Sequence, residues 1–418
     1  MQIVFFGGSG DLAQRKLLYY LSKIDCKNLE IIAYARSDID TKAFIKKLEK
    51  LHNYSKGLIK RIKYIKGQYH DLSGLREYLT DDKIAYYLSV PPLVYSVILK
   101  NLNNLKPGQV LIEKPYGSNI YEFNDIKKFM VENKQFEVKL VDHYFLKEVM
   151  LVFNYFLKDF KFNKKFIKNI KITSKEVLGA EGRAFFDKYG IIMDIIQTHL
   201  LELLLLILSG SYESSKRAEI AKDLDIIEES LIIGQYSSYT SEINQESTTE
   251  TFASIDFLSK NKDLENIIFT LVAGKGMDEK LTEVKIELNS NGIKHIITAM
   301  NRKELLEINS LIKDVYLIAN IYPKKEIFLR VILKDDTQRD ITIHSTDAII
   351  RRKEKMFGTY SDYALVFDSI VYNKDVPMVS VEEVDYIWNM FNKIDKNKKK
   401  LIFYEKGTSD PMQKIKKK

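Results

Sequence analysis

The stretch that most limits what this chain can fold into comes at its start. Ile3-Val4-Phe5-Phe6 is a short continuous apolar run, the pattern of a central parallel strand. It runs directly into Gly7-Gly8-Ser9-Gly10-Asp11-Leu12-Ala13, and a helix follows with Leu17, Leu18 and Leu21 on one side. Glycines at a strand-to-helix junction let the backbone turn tightly and approach a pyrophosphate, which the helix N-terminus then stabilises. The reading is a dinucleotide site over Gly7, Gly8, Ser9, Gly10, Asp11 and Leu12.

Further strand-like runs repeat the arrangement. Ile31–Tyr34 ends in Ala35-Arg36-Ser37. An NAD site usually places an acid near this point, to bind the ribose 2′-hydroxyl. Here the polar residue is Arg36, whose planar fork suits a 2′-phosphate, so the expected cofactor is NADP. Ile84–Val90 runs into Pro91-Pro92-Leu93-Val94-Tyr95, where two prolines stop the strand and open a helix. Val110–Ile112 runs into Glu113-Lys114-Pro115-Tyr116-Gly117, and Val138–Val141 into Asp142-His143-Tyr144, with Lys147 three residues on. Open α/β sheets bind ligands outside the carboxyl ends of their strands. The glycine turn, Arg36, Tyr95, Lys114 and the Asp142-His143 pair all fall at such ends. The fold expected is an α/β Rossmann domain over residues 1–142, followed by a second domain over 143–418.

With 418 residues the chain is long enough for two domains, and 45% hydrophobic against 29% charged residues describes an ordinary globular protein. The single cysteine, Cys26, excludes an internal disulfide framework and a CxxC metal site; it reads as a small buried hydrophobe in a reducing compartment. Met1-Gln2 leads straight into the first strand without a basic n-region. The longest apolar stretch, Leu200–Leu208, carries Glu202 and is short for a membrane span. A cytoplasmic protein without a membrane partner is expected. The net charge of +8 comes from scattered lysines, and the dense run Lys414-Ile415-Lys416-Lys417-Lys418 is terminal. This describes a solvated surface that favours anionic substrates, with no nucleic-acid partner.

In the second domain, Phe166–Leu178 alternates as a half-buried strand through Ile170 and Ile172, and Lys175-Glu176 precedes the glycine-bearing loop Gly179-Ala180-Glu181-Gly182-Arg183. The stretch from Gly190 to Leu201 has helical periodicity and is heavily apolar, so Asp194 and His199 on it need partners. Ser237–Thr251 reads as a polar surface loop. Strand-like runs fill Phe252–Ile286, Glu326–Leu333 and Asp340–His344, with helices near Tyr363–Val371 and Val381–Ile394. Strands followed by helices describe an α+β domain with a largely antiparallel sheet.

The order D-H-Y-x-x-K-E over Asp142–Glu148 resembles the R-I-D-H-Y-L-G-K-E signature of the glucose-6-phosphate dehydrogenase family, with Leu140 for the arginine and Leu146 for the glycine. The glycine turn, the Y-A-R-S of Tyr34–Ser37, P-P-x-x-Y ending at Tyr95 and E-K-P-Y-G from Glu113 are similar to further family segments. The stretch through Asp194, Gln197 and His199 resembles R-D-M-x-Q-N-H-L-L, with Met193 and Thr198 for Arg and Asn. Gly274–Lys280 resembles the C-G-K-x-L-x-x-[KR] hairpin.

The resemblance covers nearly the whole chain. It implies oxidation of glucose 6-phosphate to 6-phosphogluconolactone with reduction of NADP, the first step of the oxidative pentose phosphate pathway. It assigns His199 as the base for the C1 hydroxyl, near working pH with an ordinary pKa of about 6.5; Asp142 would bond its other ring nitrogen, and the hydride goes to nicotinamide C4. His143, Tyr144 and Lys147 form a cluster suited to a phosphate dianion. Lys114, Glu176, Asp194, Lys275 and Lys280 would complete the substrate contacts, and Arg36, Tyr95 and Lys114 the cofactor contacts; no metal site is expected. The family dimerises through the face of the second-domain sheet, so a homodimer, or a dimer of dimers, is expected.

Some members hold a second, structural NADP beside the hairpin. Here Val272 and Leu281 stand where two of its basic ligands would be, leaving Lys285, so one NADP per subunit is expected. Two other readings compete: another sugar or sugar-phosphate dehydrogenase with its own E-K-P lysine, and a silent NADP-binding sensor or scaffold. The intact D-H-Y-x-x-K and D-x-x-Q-x-H argue against both.

Overall fold

The computed structural model describes the whole chain except residues 23, 25–27, 53, 161–162, 181–185, 358–361, 375 and 414–418. Cys26, the terminal basic run and most of the loop ending at Arg183 therefore lie outside the described residues. The chain divides into two compact units. The first joins Met1–Leu146 to Thr359–Val384, and the second joins Lys147–Gly358 to Asp385–Lys418.

The first unit is built on six parallel strands: β1 (Gln2–Phe6), β2 (Glu30–Ala35), β3 (Ile62–Lys66), β4 (Ile84–Leu88), β5 (Gln109–Glu113) and β6 (Glu137–Val141). Their order is β3-β2-β1-β4-β5-β6, the doubly wound arrangement whose direction reverses between β1 and β4. Every residue of β1 and β4 is buried, which is why both read as unbroken apolar runs. The late segment of this unit contributes to its core. Phe367 on the helix Asp362–Val371 meets Phe5 with 6.0 Å between ring centroids and Tyr87 with 5.9 Å. The Val379 N–H donates to the Leu140 carbonyl, extending past the edge of the sheet.

The second unit carries a nine-stranded sheet: β7 (Ile167–Lys175), β8 (Leu224–Tyr236), β9 (Phe252–Ser259), β10 (Ile268–Gly274), β11 (Leu281–Leu288), β12 (Ile312–Tyr322), β13 (Glu326–Leu333), β14 (Gln338–His344) and β15 (Leu401–Tyr404). The order is β14-β13-β12-β11-β7-β10-β9-β8-β15. The β7–β10 and β8–β15 pairs are parallel and the others antiparallel.

The helical run Phe186–Ser209 packs on β10 and β7. Its 24 residues are long and apolar enough to cross a membrane, more than the shorter Leu200–Leu208 stretch implied. Yet 83% of its most apolar window is buried inside the protein, and the run is a core helix. The polar segment after β8 is also more ordered than a surface loop. Tyr239–Ile243 is helical, and Tyr239 and Thr251 are fully buried. The side chain of Asp187 gathers the hydroxyls of Tyr239 and Ser247 and the amide of Gln245.

Candidate active site

At the end of β1 the backbone turns with Gly7 at φ +78°. The N–H groups of Gly7 and Gly8 donate to the Tyr34 carbonyl at the end of β2, at 2.9 and 3.2 Å. A Cβ on Gly7 would lie 2.4 Å from the Ser89 carbonyl oxygen, and one on Gly8 would lie 2.7 Å from the Cα of Ala33. Both glycines are thus required by the crossing of the turn over neighbouring strands. Gly10 differs: a Cβ there would meet only the Gly7 carbonyl, at 3.1 Å, so its side of the turn is open to a ligand. The helix continues with a π-wound turn, Ala13–Leu17, then Leu18–Leu21, and buries Leu17, Leu18 and Leu21.

Around the turn, Ser9 and Ser37 are joined through their hydroxyls at 2.9 Å. Asp11 is exposed and pairs along the helix with Arg15, while Leu12 is half-exposed. Arg36 is exposed, with its guanidinium carbon 5.6 Å from the centre of the Tyr69 ring. This cradle, with no room for side chains at two glycines and a solvent-facing guanidinium supported by an aromatic face, fits a dinucleotide carrying a 2′-phosphate.

The β5–β6 register aligns Glu113 with Val141, so Lys114 and Asp142 leave neighbouring strands side by side. They form an ion pair whose side chains are 4% and 0% exposed. Asp142 also accepts the Tyr144 backbone N–H at 2.7 Å. Tyr95 is buried, and its hydroxyl donates to the Glu113 carbonyl at 2.8 Å. Glu113 itself is buried, and accepts from the Tyr87 hydroxyl at 2.5 Å. Burial pushes its carboxyl up to about 7; the Tyr87 hydrogen bond opposes this, and the Asp142 charge adds to it.

His143 stacks on Tyr363, with ring centroids 5.3 Å apart and planes at 17°, and meets Tyr144 edge-on at 5.1 Å. The Lys114 ammonium lies 5.7 Å from the centre of the Tyr144 ring. Leu140 and Leu146, the two departures from the signature, are each 1% exposed. An arginine at either place would bring a charge into the core at high cost unless it were paired.

In the second unit, Gly190 kinks the long helical run at φ +71°, and the Ile191 N–H donates to the Glu250 carbonyl at 2.9 Å. Lys396 donates to both Glu250 carboxylate oxygens, at 3.1 and 3.3 Å. Ile192–Leu200 is then wound as a π-helix, and at its end the Leu201 N–H reaches the Ile196 carbonyl five residues back. In an α-helix of 3.6 residues per turn, side chains five apart point about 140° away from each other. The wider winding brings Asp194 and His199 towards a common face. These two and Thr198 are the half-exposed residues of the stretch, whose remaining positions are all buried. Thr198 donates its hydroxyl to the Asp194 carbonyl at 2.8 Å.

Lys275 is fully buried, with its ammonium 2.5 Å from Glu176 and 3.2 Å from Asp194. It also stands 4.9 Å from the centre of the Phe186 ring. Three of the expected substrate residues therefore converge. Lys280 does not join them; it is exposed and lies 4.2 Å over the Tyr322 ring. Lys147 stands in the second unit, at the N-cap of the helix Glu148–Asp159.

Residues 4–151 match the family description "Glucose-6-phosphate dehydrogenase, NAD binding domain", and residues 149–417 match the C-terminal domain of the same family. A glucose-6-phosphate 1-dehydrogenase from Encephalitozoon cuniculi (strain GB-M1) is 35% identical over 430 residues, covering 99% of this chain and 98% of the relative. The chain belongs to the glucose-6-phosphate dehydrogenase family. A cytoplasmic glucose-6-phosphate 1-dehydrogenase of Arabidopsis thaliana is 25% identical, covering 99% of this chain and 90% of its own. A solved glucose-6-phosphate dehydrogenase, in complex with its substrate glucose-6-phosphate, shares the fold with a TM-score of 0.80 at 21% identity, over 99% of this chain and 96% of that one.

For this member of the glucose-6-phosphate dehydrogenase family the structure adds residues that sequence reading passed over. Tyr69 and Tyr363 support Arg36 and His143 but come from segments with no motif of their own. Lys175 sits beside Glu176 and pairs with Asp278 at 3.1 Å and Glu279 at 3.3 Å. The place of Lys175 just before Glu176 was the one available signal. Glu250 and Tyr404 act through the backbone: Tyr404 donates its hydroxyl to the Lys275 carbonyl at 2.6 Å.

Proposed function

We propose that this chain oxidises glucose 6-phosphate at C1 to 6-phospho-glucono-1,5-lactone and reduces NADP to NADPH, the reaction its family is named for. The observation that carries the reading is the Asp142-His143-Tyr144 signature at the carboxyl end of β6, in a chain matching the family from residue 4 to 417. NADP, when bound, supplies the hydride acceptor; Gly7 to Leu12 receive its pyrophosphate, Arg36 its 2′-phosphate, and Tyr95 and Lys114 its nicotinamide end.

The remaining roles belong to this chain's own side chains. His199 takes the C1 hydroxyl proton as the C1–H bond gives up its electron pair and C1 becomes a carbonyl carbon. Asp142 supplies the carboxylate of the acid–base pair. Lys114, Glu176, Asp194, Lys275 and Lys280 bind sugar hydroxyls and phosphate, with His143, Tyr144 and Lys147 on the phosphate. Residues 1–142 act as the NADP-binding domain, and 143–418 as the substrate and dimerisation domain.

A homodimer through the nine-stranded sheet, or a dimer of dimers, is part of the proposal. Its support is the sheet face on which Glu283, Lys285, Arg330 and Asp340 surround buried Ile318 and Phe328. A cytoplasmic location is proposed from the cytoplasmic relative.

The decisive experiment follows NADPH absorbance with purified protein, offering glucose 6-phosphate or glucose, and NADP or NAD. Turnover with glucose 6-phosphate and NADP well above the other combinations is expected. Equal turnover with glucose would favour a sugar dehydrogenase, and no turnover with any sugar would favour a silent NADP-binding protein. His199→Asn is expected to lower kcat by about 10²–10⁴ while substrate still binds; near-normal turnover in the folded variant would refute the base assignment.

A further inference from the structure

The helix Asp362–Val371 is remote in sequence from the signature at the end of β6, yet it lays Tyr363 flat against His143. Tyr363 is 3% exposed. Its ring also stacks with Tyr20, from the helix that follows the glycine turn, at 5.9 Å and 21°. The ammonium of Lys16, on the same helical stretch, lies 6.0 Å from the Tyr363 ring centre. His143 thus meets two rings, Tyr363 nearly parallel and Tyr144 at a steep angle. An imidazole confined in this way keeps its ring plane, and with it the directions of its two nitrogens.

We propose that Tyr363 is a positioning residue for the substrate's phosphate, acting through His143. The proposal rests on the assignment of His143 to phosphate recognition made above. A histidine contributes to a phosphate contact only when a ring N–H points along the line to an oxygen, because hydrogen bonds weaken steeply as the angle closes. An imidazole free to rotate loses that alignment, and part of the binding energy goes to fixing it again. The aromatic face also attracts the imidazolium that a phosphate dianion favours. Neither effect needs the tyrosine hydroxyl, so the flat ring alone is the requirement.

The test compares Tyr363→Leu with Tyr363→Phe in the full-length protein, measuring KM and kcat for glucose 6-phosphate, kcat/KM for glucose, and KM for NADP. Tyr363→Leu is expected to raise KM for glucose 6-phosphate about three- to tenfold, the size of an aromatic pair contact. The kcat, glucose and NADP parameters should stay within about twofold, and Tyr363→Phe should match the wild type. Equal losses with glucose and glucose 6-phosphate, or a Phe variant as impaired as Leu, would overturn the proposal. Should Tyr363→Leu fail to fold, Tyr363→Met, which keeps most of the volume without the ring, is read by the same criteria.

His143→Gln separates the two assignments. If that variant keeps the wild-type preference for the phosphorylated sugar, the reading of His143 itself fails. If it loses the preference while Tyr363→Leu keeps it, only the role of Tyr363 fails. In the His143→Gln background, Tyr363→Leu should have no further effect on KM.

Discussion

Three of the described lysines have almost no exposed surface, Lys114, Lys275 and Lys353; the side chains of Lys114 and Lys275 are 4% and 0% exposed, and both are met by carboxylates. Removing one partner of a buried pair typically costs about 3–5 kcal/mol, because the other charge is left in a poor solvent. Asp142→Asn should therefore lower the unfolding midpoint as well as activity, whereas Arg36→Ala, at an exposed site, should leave stability unchanged. A charge-assisted contact contributes about 1.5–3 kcal/mol, so Arg36→Ala should lose about ten- to a hundredfold in kcat/KM for NADP and little for NAD. Equal losses with both cofactors would make Arg36 structural.

Glu113 gives the pH prediction. A carboxyl raised from 4.5 to about 7 by burial stays protonated in the folded chain over a range where the unfolded chain has released its proton. Stability from this group is complete below pH 4.5, falls as pH rises to about 7, and is level above that. At about 1.4 kcal/mol per unit, the difference between pH 5 and pH 8 is about 2–3 kcal/mol. Glu113→Gln should gain that much on the wild type between the two conditions in urea unfolding, and a constant gap would mean that Glu113 does not titrate there. The motifs put Lys114 and Asp142 at the carboxyl ends of successive strands. That the two pair with each other is not legible in the sequence, because the β5–β6 register is a tertiary property.

Among the elements, those with short apolar runs and turn glycines were legible. The strands β1, β2, β4, β5 and β6 are each found within three residues of the predicted bounds. The edge strand β3, Ile-Lys-Tyr-Ile-Lys, puts lysines outside and offers too short an alternation to stand out. The strand β8 passes through Glu228-Glu229-Ser230, where polar residues interrupt the pattern and its register with β9 shifts. The π-winding of Ile192–Leu200 was hidden because the stretch is apolar on nearly every side, so no period marks the change of pitch.

Gly190 controls where that helix begins. A Cβ there would lie 2.3 Å from a Glu250 carboxylate oxygen that Lys396 also holds, and φ is positive. With ψ at 173° as well, this is a backbone conformation essentially confined to glycine, and a side chain there costs about 1–3 kcal/mol before any clash. Gly190→Ala should lower the thermal midpoint and reduce kcat through displacement of Asp194 and His199. An unchanged midpoint with normal kcat would show that the helix start can move freely.

At the scale of the whole molecule the open question is how many cofactors one chain binds. Some members of the family carry a second NADP on basic residues beside the hairpin between β10 and β11. Here Val272 is 6% exposed and apolar, and Leu281 is half-buried. Lys285 lies with its ammonium 3.9 Å from the Tyr316 ring centre, and burial holds its pKa below the usual lysine value. Arg330 donates to both oxygens of Asp340, at 2.9 and 2.8 Å, and Glu283 lies among Arg330, Lys285 and Lys171. A ligand with several phosphate charges needs several converging donors. One lysine turned to a ring, and an arginine already forked onto an aspartate, do not provide them. Equilibrium titration should therefore give about one NADP per chain, all of it at the glycine turn. Gly10→Asp, which puts a carboxylate on the open side of that turn and crowds the Gly7 carbonyl at 3.1 Å, should abolish binding altogether. A second equivalent of NADP, or one that persists in the Gly10→Asp protein, would place a site on the nine-stranded sheet after all.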